Sequence, residues 1–324
     1  DAVVGAIKRK ESFQEKARQL HRLLLSCSSS TATRKLIIVP DGKLHALPFA
    51  ALIESDGRYL IESKSIGYAP SGTVRSVVRG NGPVEGALKP LFALASSPGV
   101  ARQSQDLSTP RGFFEEVGSK LGPLPFAKEE IATIGSAAGP NSVLFVDQQA
   151  NEAELKRQAL DRFKIIHIVA HAIVSEKDPE RSGLLLQPGS VSEDGLWQPR
   201  EIRRQRLQAD LVTLSACQTA VGKLEGQEGV INLARTFLAA GAGSVAASLW
   251  MVDDRSTATL MGKFYSQLSK GKSVSDALRD AQLEMIQDFG KQFPPYYWAG
   301  FSVIGDGTQR TPLGPSAAIT SRTR

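Results

Sequence analysis

The chain has 324 residues, of which 41% are hydrophobic and 22% are charged, so its composition is that of an ordinary globular protein that can be an enzyme. The net charge of +6 is a modest excess and predicts no nucleic-acid partner. No run approaches the roughly 18 apolar residues of a membrane span, and two cysteines in this length fit a reducing compartment. We therefore expect a cytoplasmic protein that binds neither nucleic acid nor membrane.

The first part of the chain is predicted to be helical and then extended. An apolar period from Ile7 to Leu25 predicts a helix, and because the chain opens without Met inside this pattern, we expect it to be cut from something longer. Residues 35–40 form an apolar run that predicts a strand, which a Pro-Asp-Gly turn ends. Two further extended segments are predicted over residues 47–53 and 60–68.

The next part of the chain carries one buried strand and one long polar segment. Residues 91–95 form a continuous apolar run that predicts a strand. Residues 96–125 are rich in Ser, Pro, Gly and Gln, and they are predicted to form a flexible surface loop. A helix is predicted to begin at Lys128, and a strand is predicted over residues 142–146.

Strands then alternate with helices over the second half of the chain. This alternation predicts a layered α/β fold with a mostly parallel central sheet flanked by helices. Residues 306–324 are polar, lack an apolar period and are predicted to be a disordered tail. The predicted strands cover residues 163–171, 183–186, 211–217, 244–250 and 301–304, and the predicted helices cover residues 199–207, 229–240, 256–268 and 274–289.

Two reactive side chains close two of these predicted strands, His171 after the run from Phe163 and Cys217 after the run from Asp210. The carboxyl ends of neighbouring parallel strands share one edge of a sheet, and the 46 residues between the pair leave room for a crossover helix. A thiol attacks as the thiolate and is mostly protonated at neutral pH, so it needs the base that a histidine supplies. The spacing leaves open a satisfied core histidine and a small buried cysteine.

Two other patterns are weaker candidates for a site. His167 and His171 would form a metal pair only on a helix, because four residues of strand span roughly 13 Å, which a shared zinc does not permit. Residues 241–246 resemble a truncated dinucleotide fingerprint, but they follow a helix and precede a strand, the reverse of a phosphate-binding loop. The sequence therefore offers no phosphate-binding loop that would support a nucleotide-binding function.

The runs that end at His171 and Cys217 resemble the His and Cys motifs of the CHAT family, caspase-like domains often attached to tetratricopeptide repeats. The resemblance extends in order from about Lys35 to Asp306, and several ordered motifs are far more specific than a pair of residues. Further blocks that resemble the family are Val39–Phe49, Tyr68–Ser71, Leu124–Glu130, Ser182–Leu186, Gly226–Gly229, Ser248–Asp254 and Pro295–Trp298.

The resemblance implies a caspase- and separase-type fold, preceded by a smaller N-terminal pseudo-caspase-like subdomain. It also implies peptide-bond hydrolysis without metal or organic cofactor, in which Cys217 is the nucleophile and His171 is the general base and acid. Backbone N–H groups of Cys217 and of the loop at Ala172 would hold the oxyanion. The family commonly has Gly after the histidine, so Ala172 is a departure at a backbone that must approach the substrate closely.

The block Ser248–Asp254 also resembles the caspase and separase strand beside the specificity pocket. An acidic side chain there can select a basic residue of the substrate, which makes Asp253 and Asp254 candidate substrate-binding residues. Trp250 is a candidate substrate platform. The alternatives are helix capping for the two acids and a core aromatic for Trp250. Met251 stands where separases carry another acid, which argues against a strict arginine preference.

The predicted domain limits and function follow from these interpretations. Residues 1–34 are assigned to a helix and linker at the end of a helical repeat region, residues 35–127 to the N-terminal subdomain, and residues 128–305 to the catalytic subdomain. The predicted function is a cysteine endopeptidase that acts on a polypeptide substrate and is regulated by tetratricopeptide-type repeats or a partner protein. The alternative is a catalytically silent interaction module on the same fold.

Overall fold

The computed structural model describes residues 2–26, 33–73, 89–97, 121–174, 178–220, 229–290, 293–311 and 313, and among them residues 174, 216–220 and 229–230 by backbone alone. The strands in these ranges are β1 (Lys35–Ile38), β2 (Ser65–Tyr68), β3 (Lys89–Ala95), β4 (Val143–Val146), β5 (Phe163–Val174), β6 (Gly183–Leu185), β7 (Leu196–Trp197), β8 (Leu211–Ala220), β9 (Ser244–Ser248) and β10 (Phe301–Gly305). The α-helices are α1 (Ala2–Lys8), α2 (Gln14–Leu25), α3 (Leu60–Ser63), α4 (Ala127–Ala138), α5 (Glu152–Arg157), α6 (Pro199–Ile202), α7 (Gly229–Ala239), α8 (Asp254–Ser269), α9 (Val274–Phe289) and α10 (Pro295–Trp298).

The strands form one mostly parallel sheet. Eight of them lie in the order β1-β2-β10-β9-β8-β5-β3-β4, and β6 and β7 extend the sheet from β5. Neighbouring strands are parallel except where β10 meets β9 and where β6 meets β5 and β7. Leu211, Val212 and Leu214 of β8 are at most 2% exposed, as expected for a central strand covered on both faces. The predicted mostly parallel α/β sheet flanked by helices is confirmed.

Amphipathic helices cover this sheet. Helix α4 buries Ile131 and Ile134, and α8 buries Phe264 and Leu268. Apolar residues three or four positions apart lie on one face of a helix, so each helix presents a stripe to the sheet or to its neighbour. In the part of the chain that the structure describes, no helix is long and apolar enough to cross a membrane.

The extended segments predicted after β1 are wrong in part. Residues 49–51 form a 3₁₀ turn, and residues 60–63 form α3 before β2 begins at Ser65. The side chain of Glu62 accepts a hydrogen bond of 2.8 Å from the backbone N–H of Tyr59, the residue before α3. This capping contact favours a helical start where the residue types alone favour a strand.

The predicted N-terminal and catalytic subdomains contribute strands to the same sheet. Residues 35–127 supply β1, β2 and β3, and β3 lies between β5 and β4. The sheet therefore shows no break at residue 127, and the predicted domain limits stay a prediction. Residues 307–309, assigned to the tail, instead accept hydrogen bonds from the first turn of α9. Residues 98–120 of the predicted loop and 314–324 of the tail lie outside the described residues.

Candidate active site

The candidate site lies where β5 and β8 run side by side in the middle of the sheet. Their parallel ladder makes His171 and Cys217 direct register partners, on strands that lie about 4.8 Å apart. The prediction that they occupy adjacent parallel strands is confirmed. The prediction that each residue ends its strand is wrong, because β5 continues to Val174 and β8 to Ala220, and the two strands stay paired over this length. The site therefore lies inside the ladder, near its carboxyl end.

The imidazole of His171 is buried and oriented by one backbone group. Its Nε2 lies 2.9 Å from the carbonyl oxygen of Gly122. A carbonyl oxygen only accepts, so the ring proton is on Nε2 and Nδ1 carries a lone pair. Nδ1 is buried and has no hydrogen-bond partner among the described residues. Burial lowers the pKa of His171, and the Gly122 carbonyl opposes this effect more weakly. The arrangement gives a neutral imidazole whose Nδ1 can accept a proton.

The backbone around Cys217 is paired with a described strand on one side only. The adjacent strand β9 pairs with β8 at Val212, Thr213 and Leu214 and ends soon after. Among the described strands, the last part of β8 therefore has β5 as its one paired neighbour. On the other side, no described strand forms a ladder with the backbone groups of this part of β8.

The expected loop at Ala172 is instead part of β5. Ala172 pairs with Leu184 of β6 on one side and with Gln218 of β8 on the other, and it is 2% exposed. In a strand with neighbours on both sides, backbone N–H groups are ordinarily taken up by the ladders. The departure from Gly to Ala is accommodated because a paired strand position suits any L-residue.

A second histidine lies on the same face of the sheet and is fully used within the fold. His167 Nδ1 is 2.9 Å from the hydroxyl of Tyr265, and His167 Nε2 is 2.7 Å from a carboxylate oxygen of Glu130. The hydroxyl of Thr213 lies 3.3 Å from the same Tyr265 hydroxyl. Burial raises the pKa of Tyr265, so the phenol stays neutral. This network links β5 to α4 and α8, which agrees with the rejection of a metal pair.

Sequence reasoning missed two groups at this site. Ser215 is 5% exposed and two positions before Cys217, and its hydroxyl has no hydrogen-bond partner among the described residues. The sequence pattern that could have indicated Ser215 is the alternation of Thr213, Ser215 and Cys217 in a strand that is otherwise apolar. Alternate residues of a strand lie on one face of the sheet, so Ser215 lies on the same face as Cys217. Gly122 left no such signal, since it acts through a backbone carbonyl that any residue would supply.

Trp250 follows β9 at the same edge of the sheet as His171 and Cys217. Strand β9 is parallel to β8, so the residues that follow it emerge at the same edge as those that follow Cys217. Trp250 itself is 2% exposed, and its indole N–H donates to the carbonyl of Tyr296 at 3.1 Å. The structure thus places Trp250 in the core, and its role as a substrate platform stays a prediction.

The two acids after Trp250 both accept hydrogen bonds from helix starts. Asp253 is exposed and is the N-cap of α8, where one carboxylate oxygen accepts from the backbone N–H of Ser256 at 2.9 Å. Asp254 is half-buried and accepts from the backbone N–H of Phe126, the residue before α4, at 2.8 Å. Burial raises the pKa of Asp254. The structure brings both acids to the site's edge of the sheet and gives each a partner within the fold.

One cluster of acids among the described residues has the spacing of a metal site, and it contains its own cation. Carboxylate oxygens of Glu152, Glu193 and Glu201 lie close together. The Nζ of Lys156 is within 2.8 Å of an oxygen of each. The second oxygen of Glu152 accepts from the backbone N–H of Gly195 at 2.7 Å. Because an ammonium group already occupies the centre, the cluster is a structural ion-pair network.

Comparison with known proteins assigns the chain to a family. The model of the CHAT domain matches residues 14–306. Tetratricopeptide repeat protein 28 of mouse and of human is 28% identical to this chain over 331 and 329 residues, covering 88% of this chain. The chain spans only 12% of the length of these relatives.

Solved structures of peptidases share the fold. The complex of Porphyromonas gingivalis RgpB pro- and mature domains matches with a TM-score of 0.54 and 11% identity, over 97% of this chain and 77% of that chain. The Arg-specific cysteine proteinase gingipain R matches with a TM-score of 0.52 and 12% identity, over 96% and 74%. At such identities the likeness is one of fold, and it confirms the predicted caspase-like architecture. With the family model matching most of its length, the chain belongs to the CHAT domain family.

Proposed function

We propose that this chain is a cysteine endopeptidase that hydrolyses peptide bonds of a protein substrate through His171 and Cys217. The observation that carries the proposal is the register of β5 and β8, which makes these two positions direct partners on adjacent strands. The neutral state of His171 and its Nδ1, which has no hydrogen-bond partner among the described residues, supply the base that a thiol requires. Membership of a family with a caspase-like fold supports the same chemistry.

The proposed reaction is acyl transfer in two steps. Nδ1 of His171 takes the proton of the Cys217 thiol as sulfur bonds to the carbonyl carbon of the substrate, and the carbonyl oxygen becomes an oxyanion. When that intermediate collapses, the C–N bond breaks and His171 gives its proton to the leaving amine. Water then attacks the carbonyl carbon of the thioester while His171 takes a proton from the water. When this second intermediate collapses, the C–S bond breaks, the carboxyl product leaves, and His171 returns its proton to the Cys217 sulfur.

The backbone N–H of Cys217 is the oxyanion donor that the geometry favours. It lies on the part of β8 where the described strands leave one side of the ladder open. Ala172, the second donor that the family resemblance suggests, has a strand on each side. We therefore assign the main stabilisation of the oxyanion to the β8 side of the site.

Partners and specificity follow from the relatives and from the charge at the sheet edge. The curated relatives are tetratricopeptide repeat proteins, and we propose that repeats or a regulatory protein control this domain in the cytoplasm. Gingipain R is Arg-specific, and exposed Asp253, at this edge of the sheet, is our candidate among the described residues for preferring a basic residue of the substrate.

The test is turnover of a fluorogenic peptide library by the 324-residue chain. We expect cleavage by the wild type, no effect of a chelator, and loss of about 10⁴-fold or more in kcat/KM for Cys217→Ala and for His171→Ala. Cys27→Ala is the matched control, since it removes the other thiol, and it should retain full activity. Absence of turnover by the folded wild type would instead favour the silent interaction module.

A further inference from the structure

The carbonyl that orients His171 belongs to a short segment, residues 121–126, that has no regular structure of its own. The segment leads directly into α4, and the oxygen of Gly122 meets His171 Nε2 at 2.9 Å. Gly122 itself is exposed, so burial does not fix its position. Whatever holds this segment therefore also sets the direction of the His171 ring and the nitrogen that carries its proton.

Two side chains from other elements hold the segment by its backbone. The carboxylate of Asp254, the first residue of α8, accepts from the N–H of Phe126 at 2.8 Å. The hydroxyl of Ser97, just after β3, accepts from the N–H of Leu124 at 3.1 Å. The side chain of Leu124 is 9% exposed and packs in the main core. Asp254 supplies the stronger of the two bonds, because a charged acceptor forms a shorter and stronger hydrogen bond than a hydroxyl does.

We propose that Asp254 is a positioning residue for His171, acting through Phe126 and the 121–126 segment to keep the Gly122 carbonyl against Nε2. The inference rests on the proposed function and assigns Asp254 a task other than selection of the substrate. A carboxylate that turned to a basic substrate side chain would leave the Phe126 N–H without its acceptor, and an unpaired donor that is partly buried is unfavourable. Asp253, which is exposed, remains the candidate for selection.

Two variants of Asp254 separate these roles. Asp254→Ala removes the acceptor, whereas Asp254→Asn keeps an oxygen that can accept from Phe126 and removes only the charge. Positioning predicts that the Ala variant lowers kcat at least tenfold on library peptides, with a basic-to-neutral substrate ratio within about twofold of wild type. It predicts that the Asn variant recovers most of the activity. Asp56→Ala is the matched control, since Asp56 accepts from a backbone N–H at 3.0 Å in a turn outside the site.

A second readout does not depend on turnover. In the Cys217→Ala background with ¹⁵N-labelled histidine, NMR reports the tautomer of His171 and the exchange of its Nε2 proton with water. We expect at least tenfold faster exchange, or a mixture of tautomers, in Asp254→Ala, a smaller effect of the same kind in Ser97→Ala, and a signal like wild type in Asp254→Asn and Asp56→Ala.

Several outcomes would overturn the positioning role. An unchanged His171 signal in Asp254→Ala would do so, as would an Asp254→Asn variant that loses the signal or loses turnover of basic peptides alone. If Asp254→Ala fails to fold, the other two variants still test the positioning role. That role requires the His171 Nε2 proton signal to stay like wild type in Asp254→Asn and to exchange faster in Ser97→Ala. Because the NMR measurement needs no substrate, a chain without peptidase activity would refute the proposed function while leaving the contact testable.

Discussion

The two ring nitrogens of His171 have different surroundings, and this difference sets how the thiol is activated. Nε2 donates to the Gly122 carbonyl and Nδ1 is unpartnered among the described residues. Because burial lowers the pKa of His171, the ring carries no standing positive charge near neutral pH. A neutral ring cannot stabilise a thiolate in the resting state, so the proton moves during attack, as in general-base catalysis.

This state predicts the pH dependence of alkylation by iodoacetamide. Cys217 should react like an ordinary thiol, with a rate that falls about tenfold per pH unit as the pH drops below neutral, because the thiolate fraction falls in that proportion. A resting thiolate–imidazolium pair would hold the rate nearly constant to below pH 6. The measurement is mass-spectrometric alkylation of Cys217 between pH 5 and 9, with Cys27 in the same chain as internal reference. A flat profile would refute the neutral-base description.

The histidine and cysteine were predictable from sequence because each is a reactive residue in an apolar run. The spacing of the two residues allowed them to lie on adjacent strands but did not predict that they are register partners. Register depends on how the whole strands β5 and β8 pair. The Gly122 carbonyl was not predictable, because it lies 49 residues before His171 and its backbone oxygen has no residue-specific signal.

At the scale of elements, the apolar runs predicted the strands well and the ends of elements poorly. Strands buried on both faces are continuous apolar runs, which is why β3 and β9 were found. The helix predicted over residues 199–207 stops at Ile202, and the one predicted over residues 7–25 is divided between α1 and α2. These ends depend on caps and tertiary contacts that the apolar period does not carry.

Helix α5 begins with a buried acid whose titration should be visible in the stability of the protein. Burial raises the pKa of Glu152 to about 7, although Lys156 and the N–H of Gly195 oppose it. Between about pH 4.5 and 7 the unfolded chain has released this proton and the folded chain retains it, so the free energy of unfolding falls as pH rises. The stabilising contribution of protonated Glu152 is fully present below about pH 4.5 and is lost as the pH rises through the pKa of Glu152 in the folded protein, about 7.

Glu152→Gln should remove that part of the pH dependence. The amide keeps an acceptor for Gly195, and Lys156 keeps its bonds to Glu193 and Glu201. We expect the wild type to lose up to about 3 kcal/mol more than the variant between pH 4.5 and 7. Urea unfolding of both proteins at the two pH values measures the difference. Equal losses would show that Glu152 has an ordinary pKa in the folded state.

At the scale of the whole molecule, helix α1 is part of the main core although it precedes the region matched by the family model. Val3, Val4 and Ile7 are at most 5% exposed, and the family match begins at residue 14. Deletion of residues 1–12 should lower the free energy of unfolding by at least about 3 kcal/mol, since each buried aliphatic side chain contributes roughly 1.5–3 kcal/mol before the entropy of ordering is subtracted. Chemical denaturation of the truncated chain measures this loss.

Lys10→Ala serves as the control for that deletion. The Nζ of Lys10 lies 4.9 and 4.5 Å from the ring centroids of Tyr296 and Tyr297, and because Lys10 is exposed, water weakens this contact. We expect this single change to shift the unfolding midpoint only slightly. A truncation that is no worse than Lys10→Ala would mean that α1 adds no net stability.

Because β10 lies near the end of the chain, the sheet can be completed only late in synthesis. In the described sheet, β1 and β2 meet the other strands only through β10, which pairs with β2 at Tyr68 and Ile304. Ribosomes add about 5–20 residues per second, so the roughly 230 residues between these partners delay sheet completion by on the order of ten to fifty seconds. During that interval β2 presents an uncovered edge of the kind that recruits chaperones or other nascent chains. Premature termination before residue 301 would leave that edge permanently exposed.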